Sequence, residues 1–178
     1  MTKELSGADI VLDAWLARYA PSAFLFVTEV LGATPEPWQA KVLQQYDADR
    51  TYNGLIRDSY FVRMSIASGH GVGKTTLLAW LVVHHVACLY PQKTAVTAPS
   101  SNQLWDALWP EIKSWIKKLP GAESRDPLIP NMRDLFDPKS ERIELLKDPD
   151  GSFVSAKAAR QDQPEALAGV HSDFVLLV

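Results

Sequence analysis

Apolar positions recur along the chain in two rhythms, and the change falls near Tyr60. Before it they are spaced at three and four residues. Ile10, Val11, Ala14, Trp15 and Leu16 predict a helix over Ala8–Tyr19. Pro21 opens a second helical segment, Ala23–Leu31, which Gly32 ends. Pro35 and Pro37 introduce a third, Trp38 to about Tyr46, with Trp38, Val42 and Tyr46 on one stripe. After Tyr60 short apolar runs alternate with longer ones. Tyr60–Ala67 reads as a strand and Thr75–Leu89 as a helix that is apolar on nearly all sides, hence buried. Thr94–Ala98 reads as a strand stopped by Pro99. A helix capped by Ser101 or Asn102 then runs to about Leu119. Gly121–Lys139 reads as a long loop. Arg142–Leu146 and Ser152–Ala156 flank the turn signal Asp148-Pro149-Asp150-Gly151 and predict a hairpin. Phe174–Val178 is a fully apolar strand.

That order, with helices between strands, predicts the α/β class: a parallel sheet covered by helices, the hairpin being a local insertion. It divides the chain into a helical segment, 1–59, and a core, 60–178. The 178 residues suit one α/β domain with a small appendage. A hydrophobic content of 47% and a charged content of 22% exclude a disordered chain, and a net charge of -3 leaves no overall basic footprint for nucleic acid. The single cysteine, Cys88, excludes an internal disulfide and lies in an apolar run, as a small buried hydrophobe does. Met1–Leu12 carries Glu4 and Asp9 and lacks a signal-peptide pattern. Leu77–Tyr90 is too short to span a bilayer. The expectation is a protein without a membrane partner.

The chemistry concentrates between the Tyr60–Ala67 strand and the Thr75–Leu89 helix. Ser68-Gly69-His70-Gly71-Val72-Gly73-Lys74-Thr75 follows the phosphate-loop pattern of Gly, four residues, then Gly-Lys-Thr, with Ser68 in the first glycine position. Glycines at 69, 71 and 73 let successive N–H groups turn inward, and the helix that follows aims its positive end at the same point. Lys74 is placed to reach the β- and γ-phosphates of ATP, and the Thr75 hydroxyl to ligate Mg²⁺. Thr76 completes the nucleotide-binding run.

Other features are open to two readings. Trp38-Gln39 suits an adenine, with stacking from the ring and paired hydrogen bonds from the amide; it equally suits a core tryptophan beside a solvated glutamine. Arg160 is a candidate arginine finger or a solvated surface residue. Lys113, Lys117 and Lys118 share a helix with Trp109 and Trp115, either as a nucleic-acid face or as the wet side of an amphipathic helix. His84, His85 and His171 lack the spaced partners of a metal site.

The succession Pro37-Trp38-Gln39, Ala67 to Thr76, Thr97-Ala98-Pro99-Ser100 with Gln103 and Trp109-Pro110-Glu111-Ile112, Gly151-Ser152-Phe153, and Pro164-Glu165-Ala166-Leu167-Ala168-Gly169 before an apolar strand resembles the ATPase half of the tailed-phage terminase large subunit. The resemblance spans about residues 36–178. It implies an ASCE-type P-loop NTPase sheet and an ATP- and Mg²⁺-dependent motor that moves double-stranded DNA into a procapsid in the host cytoplasm. It also implies a homo-oligomeric ring that meets the portal and the small terminase subunit, and a nuclease domain beyond the ATPase. In that family an acidic pair follows the last strand. Val178 ends the chain where that pair is expected, so the expectation for this polypeptide is nucleotide binding without useful turnover. His70 stands where many relatives carry an arginine, and a histidine supplies that charge only when protonated. Two other classes fit the loop: a helicase-like translocase, and a non-hydrolysing nucleotide-binding assembly module.

Overall fold

The computed structural model describes residues 6–58, 60–67, 69, 71–158 and 171–178. They form two compact units, Met1–Met64 with Leu119–Asp134, and Ser65–Lys118 with Leu135–Val178.

The first unit is helical. Helix α1, Gly7–Tyr19, starts at Ser6, whose hydroxyl accepts the Asp9 N–H at 3.2 Å while Asp9 accepts the Ser6 N–H at 3.0 Å. Its buried Trp15 meets Phe26 edge-on at 6.1 Å. Helix α2, Ala23–Leu25, widens into a π-helical turn, Phe26–Val30. Helix α3, Pro37–Arg50, is longer than the sequence pattern suggests. Its Asp47 reaches back to the start of α2 and accepts the N–H groups of Ala23 and Phe24 at 2.7 and 3.1 Å and the Ser22 hydroxyl at 2.9 Å. A carboxylate there satisfies donors that the first helical turn leaves unpaired. Arg50 is fully buried, its guanidinium 4.2 Å from the Tyr46 ring centre. Strands β1, Thr51–Tyr52, and β2, Leu55–Ile56, form a small hairpin through Asn53 and Gly54, both at positive φ.

The second unit is α/β, a five-stranded mixed sheet flanked by helices. Helix α4 spans Lys74–Cys88, β3 Gln92–Val96, α5 Trp109–Ile116, β4 Phe136–Pro138, β5 Arg142–Leu145, β6 Phe153–Ala156 and β7 Phe174–Leu177. The strand order is β4-β5-β6-β3-β7. Pairing is parallel from β6 through β3 to β7 and antiparallel from β4 through β5 to β6. The expected purely parallel sheet is therefore corrected. The hairpin is no separate insertion either: its second strand, β6, lies in the sheet beside β3, with Val154 fully buried. Part of the expected loop, Gly121–Lys139, supplies β4. Alternation identified the β5–β6 pair but could not show which edge each strand presents to the rest of the sheet.

Two further strand readings change. Tyr60–Ala67 pairs with no described strand, although its exposure alternates, with Phe61, Arg63, Ser65 and Ala67 out and Tyr60, Val62, Met64 and Ile66 half-buried. A two-residue period records which face is apolar; a ladder also needs a neighbour. The apolar strand β7 lies at the sheet edge among the described residues, so Val175 and Leu177 stay exposed.

Helix α4 is buried on nearly every side, Cys88 included, as its composition predicts. Before α5 the chain makes a π-helical stretch, Gln103–Leu108. Pro110 lacks the N–H that would close a regular turn, and a widened turn upstream accommodates it. The cap is Ser100, one residue before the expected position: its hydroxyl accepts the Gln103 N–H at 3.2 Å.

A polar cluster joins helix to sheet inside this core. His85, Gln92, Thr94 and Ser152 are each at most 1% exposed. The Gln92 amide donates to the Phe153 carbonyl and the Ser152 hydroxyl, both at 3.2 Å. That orients Oε1 toward Thr94, whose hydroxyl donates to it at 2.8 Å, and toward His85 Nδ1 at 3.0 Å. His85 Nδ1 lies equally close, 3.0 Å, to the Thr94 hydroxyl.

Candidate phosphate-binding site

The direction of α4 decides where its first turn lies. Only Leu89, Tyr90 and Pro91 separate α4 from β3, and His85 in the last turn meets Gln92 and Thr94 at the start of the strand. The helix therefore runs back along the sheet for its ~22 Å. Its N-terminus emerges at the carboxyl ends of β3, β6 and β7, the side on which open α/β sheets hold ligands.

The loop residues fit that place. Gly71 has φ 74° and Gly73 φ 86°, left-handed conformations natural to glycine, and Gly73 leads directly into α4. Among the described residues, a methyl group placed on Gly69 or Gly71 would meet nothing within 4 Å. Lys74 folds back across the loop, its Nζ donating to the Gly69 carbonyl at 2.6 Å. Val72 is exposed; Thr75 and Thr76 are half-buried in the first turn of α4. Backbone donors at a helix start beside an ammonium make an arrangement suited to an anion. Ser68 and His70 lie outside the described residues.

The remaining candidates divide. Trp38 and Gln39 begin α3 in the helical unit. Trp38 is half-buried, whereas Gln39 is buried and its Oε1 accepts the Glu36 N–H at 2.8 Å, so the amide is part of the helix start rather than a solvated group. Arg160 and the run 164–169 lie outside the described residues. Just past the end of α5, Lys118 Nζ sits 3.5 Å from the centre of the Trp115 ring, while Trp109 is buried against Trp105 and offers no aromatic face to solvent. His84 and His85 are buried and His171 is exposed. The described residues contain no group of three or more potential metal-ligating side chains and no single helix long and apolar enough to cross a membrane.

One contact at the site has no local sequence signal. Glu111, in the first turn of α5, accepts the Thr76 hydroxyl hydrogen and the Trp115 indole hydrogen through one oxygen, each at 2.9 Å. Trp115 in turn packs edge-on against Trp80 of α4 at 5.6 Å. Thr76 and Glu111 are 35 residues apart, and neither spacing nor periodicity links them.

Comparison with known proteins adds no family: no family model matches the chain, and no curated protein matches it significantly.

Proposed function

We propose that this chain is the nucleotide-binding part of a P-loop ATPase of the tailed-phage terminase large-subunit kind, which in the full-length protein couples ATP hydrolysis to DNA movement into a procapsid. The observation that carries the reading is the glycine loop at the start of α4, at the carboxyl ends of the parallel strands, with Lys74 turned over it. In this reading the N–H groups of residues 69–74 cradle the phosphates of ATP. Lys74 neutralises the β- and γ-phosphates, and the Thr75 hydroxyl holds Mg²⁺. Trp38 and Gln39 are the adenine-side candidates and Arg160 the candidate finger toward a neighbouring subunit. The terminase assignment rests on the order of the sequence motifs; the nucleotide assignment rests on the loop itself.

Calorimetric titration with MgADP and MgATP, on the wild type and Lys74→Ala, tests it. The substitution is expected to weaken binding by about 2 kcal/mol, roughly thirtyfold. Equal affinities in the two proteins reject the phosphate loop.

A further inference from the structure

We infer that Glu111 is a positioning residue for the phosphate loop, acting through Thr76. The inference rests on the nucleotide-binding reading above and extends it to a side chain 35 residues away that belongs to no phosphate-binding motif.

The geometry is specific. Thr76 is the third residue of α4, after Lys74 and Thr75, so its side chain is tied to the turn whose N–H groups face the loop. That turn begins from a left-handed glycine and, among the described residues, has no side-chain cap. A contact from outside the helix helps hold its position in the unit. Glu111 does so with a charge-assisted hydrogen bond at 2.9 Å. Glu111 is itself placed: its acceptor oxygen is shared with the indole of Trp115, one turn farther along α5. Trp115 lies between Trp80 of α4 and the ammonium of Lys118. The carboxylate thus links the first turn of α4 to α5, and the two tryptophans join the same helices farther along. A phosphate site made of backbone donors works only when those donors converge, and misplacement by a fraction of an ångström weakens each contact. Glu111 makes no contact with nucleotide in this reading; it fixes the turn that does.

The test uses the 178-residue protein and MgADP as probe. Glu111→Ala is expected to weaken MgADP about tenfold. Glu111→Gln, whose amide oxygen still accepts both hydrogens, should recover most of that loss. Thr76→Val, which removes the hydroxyl but keeps the shape, should match Glu111→Ala, and the double variant should be no weaker than either single one. Melting temperatures measured alongside separate this from general loosening, and Thr76→Val with Glu111→Gln keeps the inference testable if Glu111→Ala does not fold. Two outcomes overturn it: Thr76→Val binding like wild type, or Glu111→Gln binding as weakly as a folded Glu111→Ala. Lys74→Ala distinguishes the levels. If wild type binds no better than Lys74→Ala, the phosphate loop itself fails and this inference with it. If binding depends on Lys74 but Thr76→Val is unaffected, only the role of Glu111 fails.

Discussion

The His85 imidazole of α4 meets the side-chain oxygen of Gln92 on β3 through Nδ1, 3.0 Å away, in a site with almost no solvent exposure. The bond closes a chain of polar groups that continues through Ser152 into β6. His85→Ala removes the imidazole, leaves a cavity and strands part of the Gln92 and Thr94 hydrogen-bonding capacity. The expected loss is about 2–4 kcal/mol of stability, read from the urea midpoint. Lys74 lies eleven residues up the helix, ~16 Å away. MgADP affinity of the folded variant should therefore stay within about twofold of wild type. A large affinity loss would mean that this cluster sets the loop from a distance.

The loop glycines separate by conformation. Gly71 is left-handed and, among the described residues, in open space, so Gly71→Ala costs only the backbone penalty, about 1–2 kcal/mol. Gly69 has no left-handed strain and equal room, so Gly69→Ala should alter stability by less than about 0.5 kcal/mol. In the proposed site its added methyl occupies the space over the cradle, and nucleotide affinity falls while the melt does not. Chemical denaturation and calorimetry on both variants check the pattern. A Gly69→Ala protein that binds MgADP normally places the phosphates elsewhere.

Asp47 gives the helical unit a pH signature. Burial pushes its carboxyl above the ordinary 3.8, against the opposing pull of the Phe24 and Ala23 N–H groups, the Ser22 hydroxyl and Arg50. An acid whose value is raised on folding favours the folded state while protonated. That contribution is complete below pH 3.8 and is lost as pH rises through the folded value. Exposed Glu29 and Glu123 and half-buried Glu144 are held low by hydrogen bonds from Arg18, Arg133 and Lys139, so their contributions run the other way, lost as pH falls below 4.5. Comparison with Asp47→Asn cancels those three. The stability of wild type relative to Asp47→Asn should decline as pH rises from about 3 toward neutrality. A difference independent of pH would show that the carboxyl ionises as readily folded as unfolded.

Gln39 carries a structural duty whatever else it does. Its side chain accepts the Glu36 N–H at the start of α3, and Gln39→Ala should cost about 1 kcal/mol in a melt. Gln39→Glu keeps the acceptor and should retain the stability. The adenine-side proposal adds a separate expectation, that Gln39→Ala narrows the preference for ATP over GTP. Lost stability with unchanged nucleotide preference would leave the residue a helix-start group alone.

Local chemistry and distant pairing differ in how far they can be read from the sequence. Helices α1 and α4 and the β5–β6 hairpin follow from spacing and turn residues within a few positions. The hairpin at Asn53-Gly54 carried an equally local signal, two residues suited to positive φ between Tyr52 and Leu55, which the apolar spacing around it obscured. What spacing does not encode is partnership: that β6 joins β3, that Tyr60–Ala67 pairs with no described strand, that Glu111 finds Thr76. In the candidate site the glycines and Lys74 were legible because a phosphate loop is contiguous. Glu111, the partner of Thr76, was not, because it arrives on another helix.

The sheet register has a kinetic consequence. Lys93 of β3 stands opposite Phe153 of β6, and Gln92 opposite Phe174 of β7, positions 60 and 82 apart in the chain. Each pairing must close a long segment before any ladder bond rewards it, while the turns of α4 form from neighbours alone. Assembly of the second unit should therefore proceed from helix to sheet, with strand docking the slow event. In stopped-flow refolding, helical ellipticity would recover ahead of the near-ultraviolet signal of Trp80 and Trp115. Until β7 docks, its row of Phe174, Val175, Leu176 and Leu177 remains open to other chains, so refolding yield should fall as protein concentration rises.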